Sequence, residues 1–135
     1  VLKYAGLKLS ELAVGIGPFV VGPAVERKVG VGGLGELAID ATQFRTAEWG
    51  MQKGIYSNVY PTIEAMDEGI SELLKTLTAQ SLNAQSALKK ALWSGCEDWD
   101  TLLLERARIS GKLVLKDESK SAIKSILEKK SQVAQ

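Results

Sequence analysis

Apolar positions along the chain follow two different spacings, and the change falls near Pro61. After Pro61, apolar residues recur every three or four positions, which is the spacing of amphipathic α-helices. Four helices are predicted there, beginning near Thr62, Ser81, Glu97 and Asp117. Because little sheet-forming sequence accompanies them, these helices must bury their apolar stripes against each other, against another part of the protein or against another subunit.

The first 61 residues mix strand-like and helical segments. Residues 1–14 are strand-like, and a glycine-rich turn follows at residues 15–18. A short helix closed by Gly30 is predicted next, followed by a helix over residues 34–41. A third helix should begin at the cap residue Thr46 and end at Gly54, and a short strand should follow over residues 55–60. We therefore divide the chain into an α/β start, residues 1–61, and a mostly α-helical remainder, residues 62–135. Since a single strand pair is not stable by itself, we expect the protein to continue before Val1.

Composition restricts the possible functions. The 135 residues suffice for one domain, and 17 basic against 16 acidic residues leave a net charge of +1, which indicates no nucleic-acid partner. With no histidine and a single cysteine, Cys96, neither a metal site of the zinc type nor a Ser-His-Asp triad nor an internal disulfide is expected. The lone cysteine and the lack of a signal-peptide pattern or a long apolar run predict a cytoplasmic protein without a membrane partner.

Glu11 is the candidate for acid–base chemistry. It is a lone carboxylate in an apolar run formed by Leu9, Leu12, Ala13 and Val14, directly before the glycine-rich turn. Removing a charged group from water is costly, so a buried carboxylate usually has a partner or a function, such as giving and taking a proton. The alternative is a glutamate on an edge strand that points into water, which is the commoner situation for a carboxylate.

Two further patterns have competing interpretations. Gly30, Gly32 and Gly35 match the spacing of a dinucleotide-binding fingerprint, but the preceding residues look helical rather than strand-like. A flexible joint between two helices is therefore favoured over a nicotinamide cofactor. Trp93 and Trp99 flank the turn between two predicted helices, where packing or a subunit contact is favoured over stacking on a ligand.

The order of these segments resembles the C-terminal part of the enoyl-CoA hydratase/isomerase (crotonase) superfamily. The segment SELAVGIGPFVVGPAVERKVG resembles the one that carries the second catalytic glutamate of that family. The segment ELAIDATQFRTAEWGMQKGIYSNVY, the helix SLNAQSALKKALW and the closing residues Glu128, Lys129 and Lys130 are similar to later parts of the family pattern. The resemblance implies the end of a crotonase-like ββα spiral core in residues 1–61 and a helical oligomerisation region in residues 62–135.

The same resemblance implies a function. Glu11 would be the general acid of an enoyl-CoA hydratase, a lyase that adds water to a short or branched enoyl-CoA. Phe19 would line the acyl pocket, and Lys129 and Lys130, together with Lys124, would meet a phosphate of the acyl-CoA substrate unless they form a solvated basic face. The CoA thioester is the substrate, no separate cofactor is implied, and relatives assemble as homotrimers or hexamers.

This sequence departs from the family pattern in two ways. Ser10 stands where a proline commonly precedes the glutamate, and residues 17–20 replace glycines by bulkier side chains, which affects the shape of the acyl pocket. The second glutamate and the oxyanion-binding amides are expected before Val1. Two alternatives to a hydratase stay open, namely an isomerase that moves the double bond and a non-enzymatic helical assembly module.

Overall fold

Helices dominate the structure, a computed structural model that describes the backbone of residues 1–133 and the side chains of residues 1–129. In this part of the chain, two antiparallel strands of two residues each accompany the helices: β1 (Gly6–Leu7) pairs with β2 (Arg45–Thr46). The six α-helices are, in order, α1 (Gly22–Ile39), α2 (Ala47–Gln52), α3 (Ile63–Ala79), α4 (Leu82–Leu92), α5 (Trp99–Val114) and α6 (Asp117–Val133).

Both longer predicted strands are wrong. Within residues 1–14 only β1 pairs as a strand, and Glu11–Val14 form a 3₁₀ helix that ends at Gly15 in the left-handed conformation, with φ 72°. Within residues 55–60 only Tyr60 pairs, through an isolated bridge to Leu2. Alternating apolar residues suit a strand only where a neighbouring strand supplies hydrogen bonds, and the described residues offer these segments little of one.

The joint predicted in the glycine-rich segment is confirmed at Gly30. Helix α1 departs from helical geometry there, with φ 70° and ψ 171°, which a glycine adopts without the strain of a side chain. Residues 31–33, predicted as a gap between two helices, are helical. A helix therefore precedes these glycines, whereas the dinucleotide fingerprint requires a strand at that place.

Polar side chains begin three of the helices. Thr46, Thr62 and Ser81 accept hydrogen bonds from the backbone amides of Trp49, Ala65 and Ala84, at 3.1, 3.2 and 3.3 Å. These bonds satisfy amides that have no partner within the first helical turn. The caps predicted at Thr46 and Ser81 are confirmed.

A small core and a polar network hold α1, β2 and α2 together. Leu37, Ala41 and Ala47 are the buried apolar residues, and the Glu36 carboxylate next to them accepts a hydrogen bond of 2.9 Å from the indole of Trp49. Two cations also lie near that carboxylate, Arg45 at 3.6 Å and Lys53 at 3.7 Å. The network fixes the turn between α1 and α2, which lies beside β1.

Arg27 joins α1 to the turn between α4 and α5. Its guanidinium donates hydrogen bonds to the carbonyls of Leu92 and Ser94, at the C-terminal end of α4, where a cation is favoured. Trp93 and Trp99 pack edge to face at 5.8 Å between ring centroids.

Hydrogen bonds from the backbone amides of Glu97 and Gly95 lower the pKa of the Glu97 carboxyl, and the nearby charge of Arg27 adds to this effect.

Helices α3 and α4 expose a broad apolar surface, which we call the α3–α4 face. It consists of large side chains that are between 39% and 79% exposed: Ile63, Ile70, Leu73, Leu74, Leu77, Leu82, Leu88 and Leu92. Exposed apolar surface of this extent marks an interaction site in a folded protein. In the described part of the chain, no helix is both long enough and apolar enough to cross a membrane.

Candidate active site

Glu11 opens the 3₁₀ helix, and one of its carboxylate oxygens is enclosed by protein. The Oε2 atom is buried and has no hydrogen-bond partner among the described residues. This placement differs from the alternative of an edge-strand glutamate in water, because Glu11 does not lie on a strand and Oε2 has lost its solvent. A buried polar oxygen without a hydrogen-bond partner is uncommon in a folded protein, so Oε2 of Glu11 is a candidate contact for a ligand.

Three backbone hydrogen bonds of normal length hold this 3₁₀ helix. The amide of Ala13 donates to the carbonyl of Ser10 at 3.2 Å, the amide of Gly15 to that of Leu12 at 3.1 Å, and the amide of Ile16 to that of Glu11 at 3.0 Å. The hydroxyl of Ser10, at the cap position, makes no capping bond. The turn that carries Glu11 is therefore held by its backbone and not by a capping side chain.

Helix α6 supports the same turn from the far end of the sequence. The hydroxyl of Ser119 donates to the carbonyl of Gly15 at 3.1 Å, and α6 packs against the 3₁₀ helix. Ser119 is fully buried, at 0% exposure. Ser119 was not predicted as a site residue. It shares one helix face with Ala122, Ile123 and Ile126, so a small polar residue within an apolar stripe was the available signal.

Phe19 lies in the turn between the 3₁₀ helix and α1 and is partly buried. It lines a cavity of about 190 Å³ together with residues from the start of α1, and Glu26 and Arg106 are the charged residues of its wall. Its ring also covers Gly17, where an added Cβ would lie 2.6 Å from the ring. Glu11 is not among the residues that line this cavity, so the structure does not bring these two predicted site residues together in it.

A second, more apolar cavity lies between the residues around β1 and the first half of α1, and Glu11 is not among its lining residues. It has a volume of about 270 Å³, and Lys8 and Lys28 are its two charged lining residues. Its wall includes Leu9, which precedes Glu11 by two residues, and the other lining residues are Leu7, Ala24, Val25, Leu37 and Ile55. Pockets for drug-sized ligands begin at about 300 Å³, so this cavity suits a small apolar group.

The predicted phosphate-binding lysines lie on α6. Lys129 is exposed, and Lys124 forms an ion pair of 3.9 Å with Glu128 one turn away. At a rise of about 1.5 Å per residue, Lys129 is about 15 Å along the helix from Ser119 and the turn that carries Glu11. The side chain of Lys130 lies outside the described residues.

Comparison with known proteins supports the fold. No protein-family model matches the chain, and no curated protein matches it in sequence. Among solved structures, an enoyl-CoA hydratase/isomerase from Pseudoalteromonas atlantica T6c is similar with a TM-score of 0.80 and 15% identity, over 95% of this chain and 52% of that one. An enoyl-CoA hydratase from Bacillus halodurans is similar with a TM-score of 0.83 and 19% identity, over 92% of this chain and 50% of that one.

These structures define the class of fold. The chain spans about half the length of the solved structures that it matches. It has the crotonase fold over that length, in a mostly helical form with a small sheet, which is consistent with the C-terminal part of the fold. The resemblance and the fold class predicted from the sequence are thereby confirmed at the level of the fold.

Proposed function

We propose that the chain is the C-terminal part of an enoyl-CoA hydratase-type lyase that adds water to a short or branched enoyl-CoA thioester. The observation that carries this proposal is the buried, unpaired Oε2 of Glu11, in a fold shared with enoyl-CoA hydratases. A carboxylate oxygen without a partner in the protein is free to contact a substrate, as a general acid must do. The small apolar cavity beside Leu9 supports a short acyl group.

Glu11 acts as the general acid of this reaction. A water molecule attacks the β-carbon, a new C–O bond forms there, and the electrons of the double bond move toward the thioester carbonyl. The attacking water gives up a proton to the second glutamate, and the Glu11 carboxyl gives its proton to the α-carbon. Transfer of the proton on the second glutamate back to Glu11, through solvent, restores both carboxyl groups. The second glutamate and the amides that stabilise the negative oxygen belong, in this proposal, to sequence before Val1.

An isomerase is the second candidate function, and the same observation supports it. One carboxyl group that removes a proton from the acyl chain and returns it at another carbon needs no added water. The two reactions differ in the mass of the product: hydration adds one water, whereas isomerisation leaves the mass unchanged.

The test uses the longest natural protein that contains these 135 residues. We expect it to bind acetoacetyl-CoA in a calorimetric titration and to convert a short 2-enoyl-CoA into a product that is heavier by one water in a mass spectrum. An unchanged product mass with a displaced double bond would assign the isomerase instead. A stable oligomer that neither binds nor converts any acyl-CoA would favour the non-enzymatic assembly module.

The α3–α4 face supports assembly through a second and third copy of the chain, as a homotrimer or a hexamer built from trimers. Leu73 is 57% exposed in the middle of this face. The Leu73→Glu variant should therefore shift the protein to smaller species in light scattering, because a charge would have to be buried at the interface. Leu115→Glu is the control, since Leu115 is also exposed but follows α5. An unchanged molar mass for Leu73→Glu would exclude this interface.

The remaining parts of the proposal follow from the substrate. The CoA thioester is itself the substrate, so no separate cofactor is required. Of the two predicted lysines whose side chains are described, Lys129 forms no ion pair with another described residue and is proposed to contact a phosphate of CoA, whereas Lys124 pairs with Glu128. We also propose a cytoplasmic location for the protein.

A further inference from the structure

We propose that Ser119 is a positioning residue for Glu11, and that α6 thereby controls the rate of proton transfer from a distance. This inference rests on the proposed function, since it assigns a partner to the carboxyl group that acts there. Three observations carry it: the hydrogen bond of Ser119, the complete burial of its side chain and the shape of the turn that it contacts.

Backbone hydrogen bonds connect the Ser119–Gly15 contact to Glu11. Ser119 donates to the carbonyl of Gly15, and the amide of Gly15 donates back to Leu12 within the 3₁₀ helix. The next amide, that of Ile16, donates to the carbonyl of Glu11 itself. A displacement of Gly15 therefore moves the backbone from which the Glu11 side chain extends.

The turn at Gly15 has a shape that accommodates the Ser119 side chain. Gly15 adopts φ 72°, and a Cβ at that position would lie 2.6 Å from the Ser119 hydroxyl oxygen, so the glycine leaves the space that the serine occupies. The side chain of Ser119 is fully buried, so its hydroxyl is enclosed by protein where it donates to Gly15. The match between a left-handed glycine and a buried serine 104 residues away defines a specific contact rather than general packing.

The 3₁₀ helix needs such external support. It has four residues, its hydrogen bonds have poorer geometry than those of an α-helix, and Ser10 does not cap it. The Oε2 atom of Glu11 also lacks a hydrogen-bond partner among the described residues, so no bond at that atom fixes the side chain. The orientation of the carboxyl group consequently depends on the backbone, and the backbone depends on α6.

The Ser119→Ala variant of the longest natural protein tests the inference. We expect kcat to fall about 3- to 10-fold, the rate equivalent of one lost hydrogen bond, while KM changes less than about 2-fold. Ser121→Ala is the matched control, because it removes the same group from an exposed position two residues along α6 and should leave kcat unchanged. An unchanged kcat for Ser119→Ala would overturn the inference.

A double-mutant cycle separates positioning from a structural role. If Ser119 acts through Glu11, then adding Ser119→Ala to Glu11→Gln should cause no further loss of kcat, because the group being positioned is gone. An equal loss in both backgrounds would show a structural effect and overturn the inference. If Glu11→Gln alone leaves kcat unchanged, the proposed function is wrong, and the inference about Ser119 is wrong with it. If Glu11→Gln lowers kcat strongly and Ser119→Ala does not lower it, only the inference about Ser119 is wrong.

Hydrogen–deuterium exchange gives a readout that does not depend on turnover. In Ser119→Ala, amides of residues 11–16 should exchange faster, whereas those in the middle of α3 should not change. Unchanged exchange at residues 11–16 would contradict the proposed support. If the alanine variant fails to fold, Ser119→Cys takes its place in the cycle, since a thiol keeps most of the volume and weakens the donor.

Discussion

Replacing Glu11 with glutamine should lower kcat for an enoyl-CoA thioester by about 100-fold or more. Positioned acid–base groups contribute about 10² to 10⁴ to the rate, and an amide of the same shape has no proton of suitable acidity to deliver. The measurement is the steady-state rate at which the absorbance of the conjugated thioester disappears, in the longest natural protein that contains the chain.

The same variant should leave the melting temperature unchanged. The buried Oε2 of Glu11 lacks a hydrogen-bond partner among the described residues, so the substitution removes no hydrogen bond at that atom. Glu72→Gln is the control, because Glu72 is exposed on α3 and should affect neither quantity. Full activity of Glu11→Gln would remove Glu11 from the mechanism, whereas a large loss of stability would identify it as a structural residue.

Replacing Gly15 with alanine should destabilise the protein by about 2–5 kcal/mol. A side chain in the left-handed conformation costs about 1–2 kcal/mol, and forcing a methyl group into a filled space costs about 1–3 kcal/mol more. Both costs apply, since Gly15 has φ 72° and the added Cβ would lie 2.6 Å from the Ser119 hydroxyl oxygen. Denaturant unfolding followed by circular dichroism gives the change in the free energy of unfolding.

Gly95→Ala separates the two costs. Gly95 has nearly the same backbone angle, φ 80°, but an added Cβ would meet no atom within 4 Å. It should therefore lose only the conformational part, about 1–2 kcal/mol. Combining Gly15→Ala with Ser119→Ala should recover part of the difference, because the hydroxyl that is crowded has been removed. Equal losses for Gly15→Ala and Gly95→Ala would show that α6 does not press against this turn.

Local signals in the sequence located the helices well. The caps at Thr46 and Ser81 and the joint at Gly30 were predictable because each depends on the residue itself and on its neighbours within one turn. The strands over residues 1–14 and 55–60 were not, since pairing depends on which other segment lies alongside. In the same way, the apolar run around Glu11 left open whether its carboxylate is buried or faces water, and it did not predict the 3₁₀ helix in which the residue lies.

By itself, the sequence determined the helical character of the chain, the caps at Thr46 and Ser81 and a resemblance that the fold comparison supports. The tertiary structure alone decided the surroundings of Glu11: the enclosed Oε2 and the serine of α6 that supports its turn. The physical reason is distance along the chain. Helix propensity and capping act within a few residues, whereas the contact between Gly15 and Ser119 joins positions that only the packed molecule brings together.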